Sequence, residues 1–332
     1  MKNIAVFTAL VIILWALPCP QARGQGHILS ALPDTGAGFP YALTLAASTG
    51  FLYGYGEELV YKYPGKETYM SQLLWNIKPL FYYGAALDFS RIRPLEKPGF
   101  FALLSLKFGF PAKTGIMEDL DWLTVNDELT NYSLSDNYTN GAFLFDVFLG
   151  ASLPLGDFAL IKLQWGFSLM SFQWTGRDGY RRYSSNENTP LDDSVGPVPF
   201  YGILILYAQN WLITSPGLAL QIPLSRHFRT DLFFQISPFI FCNARDDHVL
   251  RNLEFLDYVS GGLYLEPRGD FVFSFWERFE LSLYVSYRYI RGAHGESYQR
   301  STGGSGQYLK TAEDAGAAWY ALDSGLTFKV RL

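Results

Sequence analysis

Cysteine is nearly absent: among 332 residues only positions 19 and 242 carry it. Charge is scarce as well, at 17% Asp, Glu, Lys and Arg, and the bases are the minority, 26 against 31 acids. An acidic chain of this kind has no electrostatic means of gathering nucleic acid. Beyond residue 24 no apolar run reaches the roughly 18 residues of a membrane-spanning helix, and the chain contains no internal repeat or low-complexity tract. What is abundant is apolar and aromatic: 49% hydrophobic residues, including 27 Phe, 22 Tyr and 8 Trp. This content excludes disorder. So many aromatics against so few charges suit a protein that meets two solvents, lipid and water.

The N-terminus predicts the compartment. Lys2 precedes an apolar run from Ile4 to Leu17, and Ala22 and Gly24 supply the small residues of a cleavage site after Gly24, the pattern of a secretory signal peptide. Residues 1–24 are expected to be removed, leaving a barrel domain of residues 25–332. Removal deletes two bases and no acid, taking the formal net charge from −5 to −7. It also deletes Cys19, so Cys242 stays alone and no intramolecular disulfide is possible.

The rest of the chain alternates in polarity. Leu281, Leu283, Val285, Tyr287 and Tyr289 interleave with Glu280, Ser282, Tyr284, Ser286 and Arg288; Leu104, Leu106 and Phe108 interleave with Ser105, Lys107 and Gly109. A two-residue period over about 10 residues, rich in aromatics, predicts transmembrane β-strands with lipid outside and a polar lumen. A soluble β-sandwich is the competing fold, and the signal peptide and aromatic content oppose it. Short turns are expected at 93–98, 154–157, 223–227 and 275–279, and long polar connections at 57–69, 115–138, 176–197, 245–255 and 292–316. Four short and five long connections predict an all-β fold: a ten-stranded antiparallel outer-membrane β-barrel with short periplasmic turns and long extracellular loops. An even strand number closes without an exposed edge.

Two of the long connections carry concentrated titratable groups. One opens with Met117-Glu118-Asp119-Leu120-Asp121-Trp122, the other with Arg245-Asp246-Asp247-His248, and topology assigns both to the extracellular end. Asp119 and Asp121 keep the inward parity of Lys107. Asp246 and His248 also share a face, and a carboxylate beside an imidazole orients the ring and favours its charged form. A His-Asp pair facing an Asp pair could activate water. The parity running from Leu232, Phe234 and Ile236 would aim Asp246 and His248 at lipid unless a bulge intervenes, and Pro238, lacking an N–H, can mark one. His27, His227 and His294 lack a motif, and Cys242 reads as a small apolar residue. The glycines at 303, 304 and 306 read as loop flexibility, and Tyr180-Arg181-Arg182-Tyr183 is weak evidence for nucleic acid on an acidic chain.

At these blocks the chain resembles the omptin family of outer-membrane endoproteases, which are ten-stranded barrels. Met117 to Trp122 is similar to the family's Asp-x-Asp-Trp block, Asp246-Asp247-His248 to its Asp-x-His pair, and Gly54 to Tyr61 with Gln72-Leu73-Leu74-Trp75 to its first hairpin. The resemblance implies peptide-bond hydrolysis at the cell surface, with no metal, no cofactor and no covalent acyl-enzyme. His248 would be the general base, Asp246 its orienter, and Asp119 with Asp121 would position the attacking water. Glu58 falls where omptins carry an acid that lines the pocket for a basic side chain. Ser135 is similar in place to a serine near the family's site. The implied partners are extracellular polypeptides and outer-membrane lipid. Two departures accompany these matches. Ala244 stands where omptins that cut between basic residues carry a second acid, which should weaken selection for Arg or Lys. Phe167-Ser168-Leu169-Met170-Ser171 lacks the acid and Arg with which the family grips lipopolysaccharide, so dependence on that lipid is not expected. The rival from another class is a catalytically silent barrel acting as adhesin or host-protein receptor. Such a barrel has no reason to keep both acidic motifs, and ten strands leave too little lumen for a general porin.

Overall fold

The alternating segments form one sheet of 13 β-segments closed on itself in the computed structural model, which describes residues 41–63, 68–91, 98–156, 158–186, 188–304 and 306–332. The segments are β1 (Tyr41–Tyr61), β2 (Tyr69–Arg91), β3 (Gly99–Gly109), β4 (Ala112–Asp121), β5 (Asn131–Leu155), β6 (Ala159–Tyr183), β7 (Val198–Pro223), β8 (Phe228–Ser237), β9 (Ile240–His248), β10 (Leu253–Ser260), β11 (Leu263–Ser274), β12 (Phe279–Ser301) and β13 (Leu309–Arg331). β3 and β4 lie between the same neighbours, β2 and β5, and so form one stave. β8 with β9, and β10 with β11, are likewise single staves, giving ten antiparallel staves. The first and last pair from Thr44↔Arg331 to Tyr61↔Asp314, closing the ring. The expected signal peptide, His27 and most of the 93–98 turn lie outside the described residues.

The long connections are shorter than the sequence pattern implies. The expected spans 57–69, 115–138, 176–197, 245–255 and 292–316 contract to 62–68, 122–130, 184–197, 249–252 and 302–308, because the strands run on to 25 residues in β5 and β6 and 26 in β7. Twenty-five residues at about 3.3 Å each, tilted by about 45°, climb roughly 55 Å against a hydrocarbon core of about 30 Å. The barrel therefore rises far above the bilayer. There both wall faces are wet, and alternation of hydrophobicity no longer marks a strand.

Around the lower half the outer surface is apolar: Leu45, Phe81, Leu163, Trp165, Leu283 and Phe328 are each 41–60% exposed. Inside at that depth the polar side chains pair with one another, as groups remote from bulk water must. Arg288 holds Asp146 at 2.9 Å and Glu266 at 3.1 Å, Arg268 holds Asp270 at 2.7 Å, and Lys107 pairs with Asp323. A polar cavity of about 320 Å³ occupies this lower lumen. Nearer the extracellular end a buried aromatic floor crosses the interior, in which Trp75 stacks on Tyr207 (5.1 Å) and Trp174 (6.1 Å), and Phe172 contacts Trp319 (5.2 Å).

Candidate active site

One irregularity in the wall aims half of the site. β7 pairs Gly217 with Gln235 of β8 but Ile213 with Ile240 of β9, so five residues of one stave oppose four of its neighbour. The extra residue lies at Pro238-Phe239, where the sequence pattern expects a bulge. Pro238 has no N–H to give the ladder. The Ser237 hydroxyl stands in, donating to the Thr214 carbonyl (2.5 Å) and accepting the Phe239 N–H (2.8 Å). Below this point Leu232, Phe234 and Ile236 face outward; above it Phe241 does, while Cys242, Ala244 and Asp246 are buried inside. The adjoining staves reset at the same level, with Gly261 and Gly262 at φ 76° and 87° and Gly292 at φ 78°, backbone that a side chain resists.

On β9, the His248 ring nitrogen Nε2 lies 2.5 Å from Asp246 Oδ2, and Phe255 meets the ring edge-on at 5.5 Å. Asp246 is 1% exposed. Burial alone would lower the His248 pKa, but the Asp246 charge and hydrogen bond outweigh it, and the imidazole is raised above its ordinary value.

Across the lumen one lateral row carries the other half of the site. Ala317 pairs with Glu58, Glu58 with Leu73, Leu73 with Asp119, and Asp119 with Ser133. The Ser133 hydroxyl donates to Asp119 Oδ2 (3.4 Å), and the Asn131 amide donates to Asp121 Oδ2 (3.1 Å). Burial, then the charge of Asp121, push the Asp119 carboxyl up to about 8, while His248 draws it down, so the two halves of the site lie within electrostatic reach of each other. Glu58 is raised well above the usual carboxylate range by burial and then by Asp246 and Asp257.

Glu58, Asp119, Asp121, Asp246 and His248 thus converge, but from the ends of strands and not from loops as the sequence pattern places them. Ser135 stands apart: it pairs with Met117, and its buried hydroxyl has no hydrogen-bond partner. Ser133, Asn131 and Asp257 join the site without any motif to announce them. Only their cross-strand partners, Asp121 for Asn131, Asp119 for Ser133 and Ala244 for Asp257, link them to it. His294 stacks on Tyr61 at 4.2 Å. Among the described residues no group of three or more His, Cys, Asp or Glu side chains is arranged to hold a metal ion.

The raised carboxyl has a measurable cost. In the fold Asp119 keeps a proton to about pH 8 that an unfolded Asp, near 3.8, has released, so stability falls as pH rises between those values. Asp119→Asn removes that loss. The variant's advantage in denaturant unfolding should grow by about one to a few kcal/mol from pH 4.5 to pH 8. An advantage equal at both pH values would contradict it.

The sequence model of the Omptin family matches residues 39–330. The plasminogen activator of Yersinia pestis is 27% identical over 230 residues, which span 68% of this chain and 69% of that protein. Among solved structures, the crystal structure of the outer membrane protease OmpT from Escherichia coli superimposes with a TM-score of 0.73 at 19% identity, covering 90% of this chain and 99% of that one. At that identity the likeness speaks for the fold.

Proposed function

The chain belongs to the omptin family, and from that premise we propose that it is an outer-membrane endopeptidase cutting extracellular polypeptides with a water activated by His248. The outer-membrane barrel and its outward-facing site come with the family. The observation that carries the proposal is the pairing of His248 with Asp246 at 2.5 Å, facing a second carboxylate pair whose charge it feels.

Asp246 engages Nε2 and so leaves Nδ1 as the nitrogen available to water. The Asp119 and Asp121 carboxylates, steadied by Ser133 and Asn131, hold that water and favour the imidazolium that forms as it loses its proton. The water oxygen bonds to the scissile carbonyl carbon. The proton on Nδ1 then passes to the departing amine, the C–N bond breaks, and His248 returns to neutral. Buried Asp246 keeps the ring oriented throughout.

Activity should therefore require neutral His248 and ionised Asp119. Since the first titrates above its ordinary 6.5 and the second at about 8, kcat/KM on a refolded barrel should climb about a hundredfold per pH unit below pH 6.5, where both groups must lose a proton, and level off above about 8. A peptide pool read by mass spectrometry supplies the substrates. A profile flat down to pH 5 would contradict these roles, and a folded barrel that cuts nothing in the pool would favour a binding-only barrel.

A further inference from the structure

Ala244 removes a carboxylate from β9, yet the cleft regains one from the next strand. Ala244 is buried on the inner face, and its cross-strand partner is Asp257 of β10. Directly opposed residues of an antiparallel pair project to the same side, their Cβ atoms about 4.5–5.5 Å apart. Asp257 therefore enters the lumen at the level of Ala244, two residues from Asp246 along β9. It is 5% exposed, and its Oδ1 has no hydrogen-bond partner. Facing it from β1 is Glu58, 4% exposed, with Oε2 equally unpartnered. Each lies within electrostatic reach of the other and of the Tyr207 ring between them.

Buried carboxylate oxygens without donors are costly unless a cation arrives to meet them. Lys107, Arg268 and Arg288 are committed below the aromatic floor to Asp323, Asp270 and Asp146. Among the described residues no Lys or Arg is paired with Glu58 or Asp257, so the cation is one brought from outside. The Tyr207 ring beside the two carboxylates stacks on Trp75 at 5.1 Å, and the small side chain of Ala317 stands opposite Glu58. A flat aromatic base with two carboxylates at its rim accepts an aliphatic stem ending in an ammonium or guanidinium.

We propose that Asp257 is a specificity-determining residue: with Glu58 it forms a two-carboxylate pocket that takes the Lys or Arg side chain adjoining the scissile bond. This rests on the peptidase reading above. It also reverses the expectation drawn from Ala244, because the acid is relocated across one strand pair and not lost.

The test compares wild type, Asp257→Asn and the double variant Ala244→Asp/Asp257→Ala on peptides identical except for Arg, Lys or Gln at one position. Wild type should prefer Arg and Lys. Asp257→Asn should reduce that preference about 10- to 100-fold, chiefly through KM, the scale of one charge-assisted contact. The double variant should restore it, which a merely structural Asp257 would not allow. A second arm measures binding of the Arg and Gln peptides to the His248→Ala barrel by tryptophan fluorescence, with and without Asp257→Asn. If wild type cuts nothing but the Arg peptide binds in an Asp257-dependent way, the pocket stands and the peptidase reading falls. A preference for Arg over Gln that Asp257→Asn leaves unchanged in either arm, or no such preference in both, overturns the proposal.

Discussion

His248→Ala is expected to leave a folded barrel that has lost cleavage by about 10²- to 10⁴-fold, the contribution of a positioned general base. The imidazole combines a nitrogen that can take up a proton with an orienting partner, Asp246 at 2.5 Å. Replacing it removes one ring, 16% exposed, from the end of β9 and leaves the backbone ladder from Ile205↔His248 to Ile213↔Ile240 intact. Folding can be checked by the different gel mobility of heated and unheated samples. Asp246→Asn should cost less, because the ring can keep its contact with Phe255 (5.5 Å) while losing the charge that stabilises its protonated form. The order expected is wild type, then Asp246→Asn, then His248→Ala. A His248→Ala barrel within tenfold of wild type would remove His248 from the chemistry altogether.

What the sequence makes legible follows from which solvent each residue meets. Leu281, Leu283, Ser282 and Tyr284 alternate because one side faces lipid and the other the lumen, and such segments can be placed without a structure. Tyr132-Ser133-Leu134-Ser135-Asp136 is also strand, within β5. It reads as a loop because above the bilayer both faces can be polar and no period survives. The same effect hides the site's supports: Ser133 and Asn131 reach Asp119 and Asp121 only through pairing in space. The two acidic motifs were visible as spacing, i and i+2. Asp257 was not, since Leu256-Asp257-Tyr258 resembles any strand and its meaning lies in the register that sets it against Ala244.

Deleting Pro238 and Phe239 together should abolish cleavage as completely as removing the histidine, although neither is one of the catalytic groups and 54% of the Phe239 surface is exposed. The one-residue excess at Pro238-Phe239 is what lets Leu232 and Asp246, both even-numbered, face opposite sides of the wall. With both residues gone Ile240 follows Ser237 directly and takes the outward place in an unbroken alternation. Arg245 and Asp247 then turn inward and Asp246 and His248 outward, or β9 slips by one residue against β7, and the His248↔Ile205 pairing is lost. Both outcomes separate the imidazole from Asp119 and should reduce kcat/KM by more than about 10³-fold, a loss larger than any contact of Phe239 could supply. Deleting Phe239 alone removes only the excess and leaves Asp246 and His248 inward. That variant, like Phe239→Ala, should retain cleavage within about tenfold, which separates register from side chain. Cys242 reports the geometry directly. It is the only cysteine beyond residue 24 and is 4% exposed on the inner face. A maleimide should leave it untouched in the wild-type barrel and label it in a folded deletion variant whose face has turned outward. A double-deletion variant that folds, keeps Cys242 unreactive and cuts at the wild-type rate would show that something other than the residue count at the bulge aims Asp246 and His248 into the cleft.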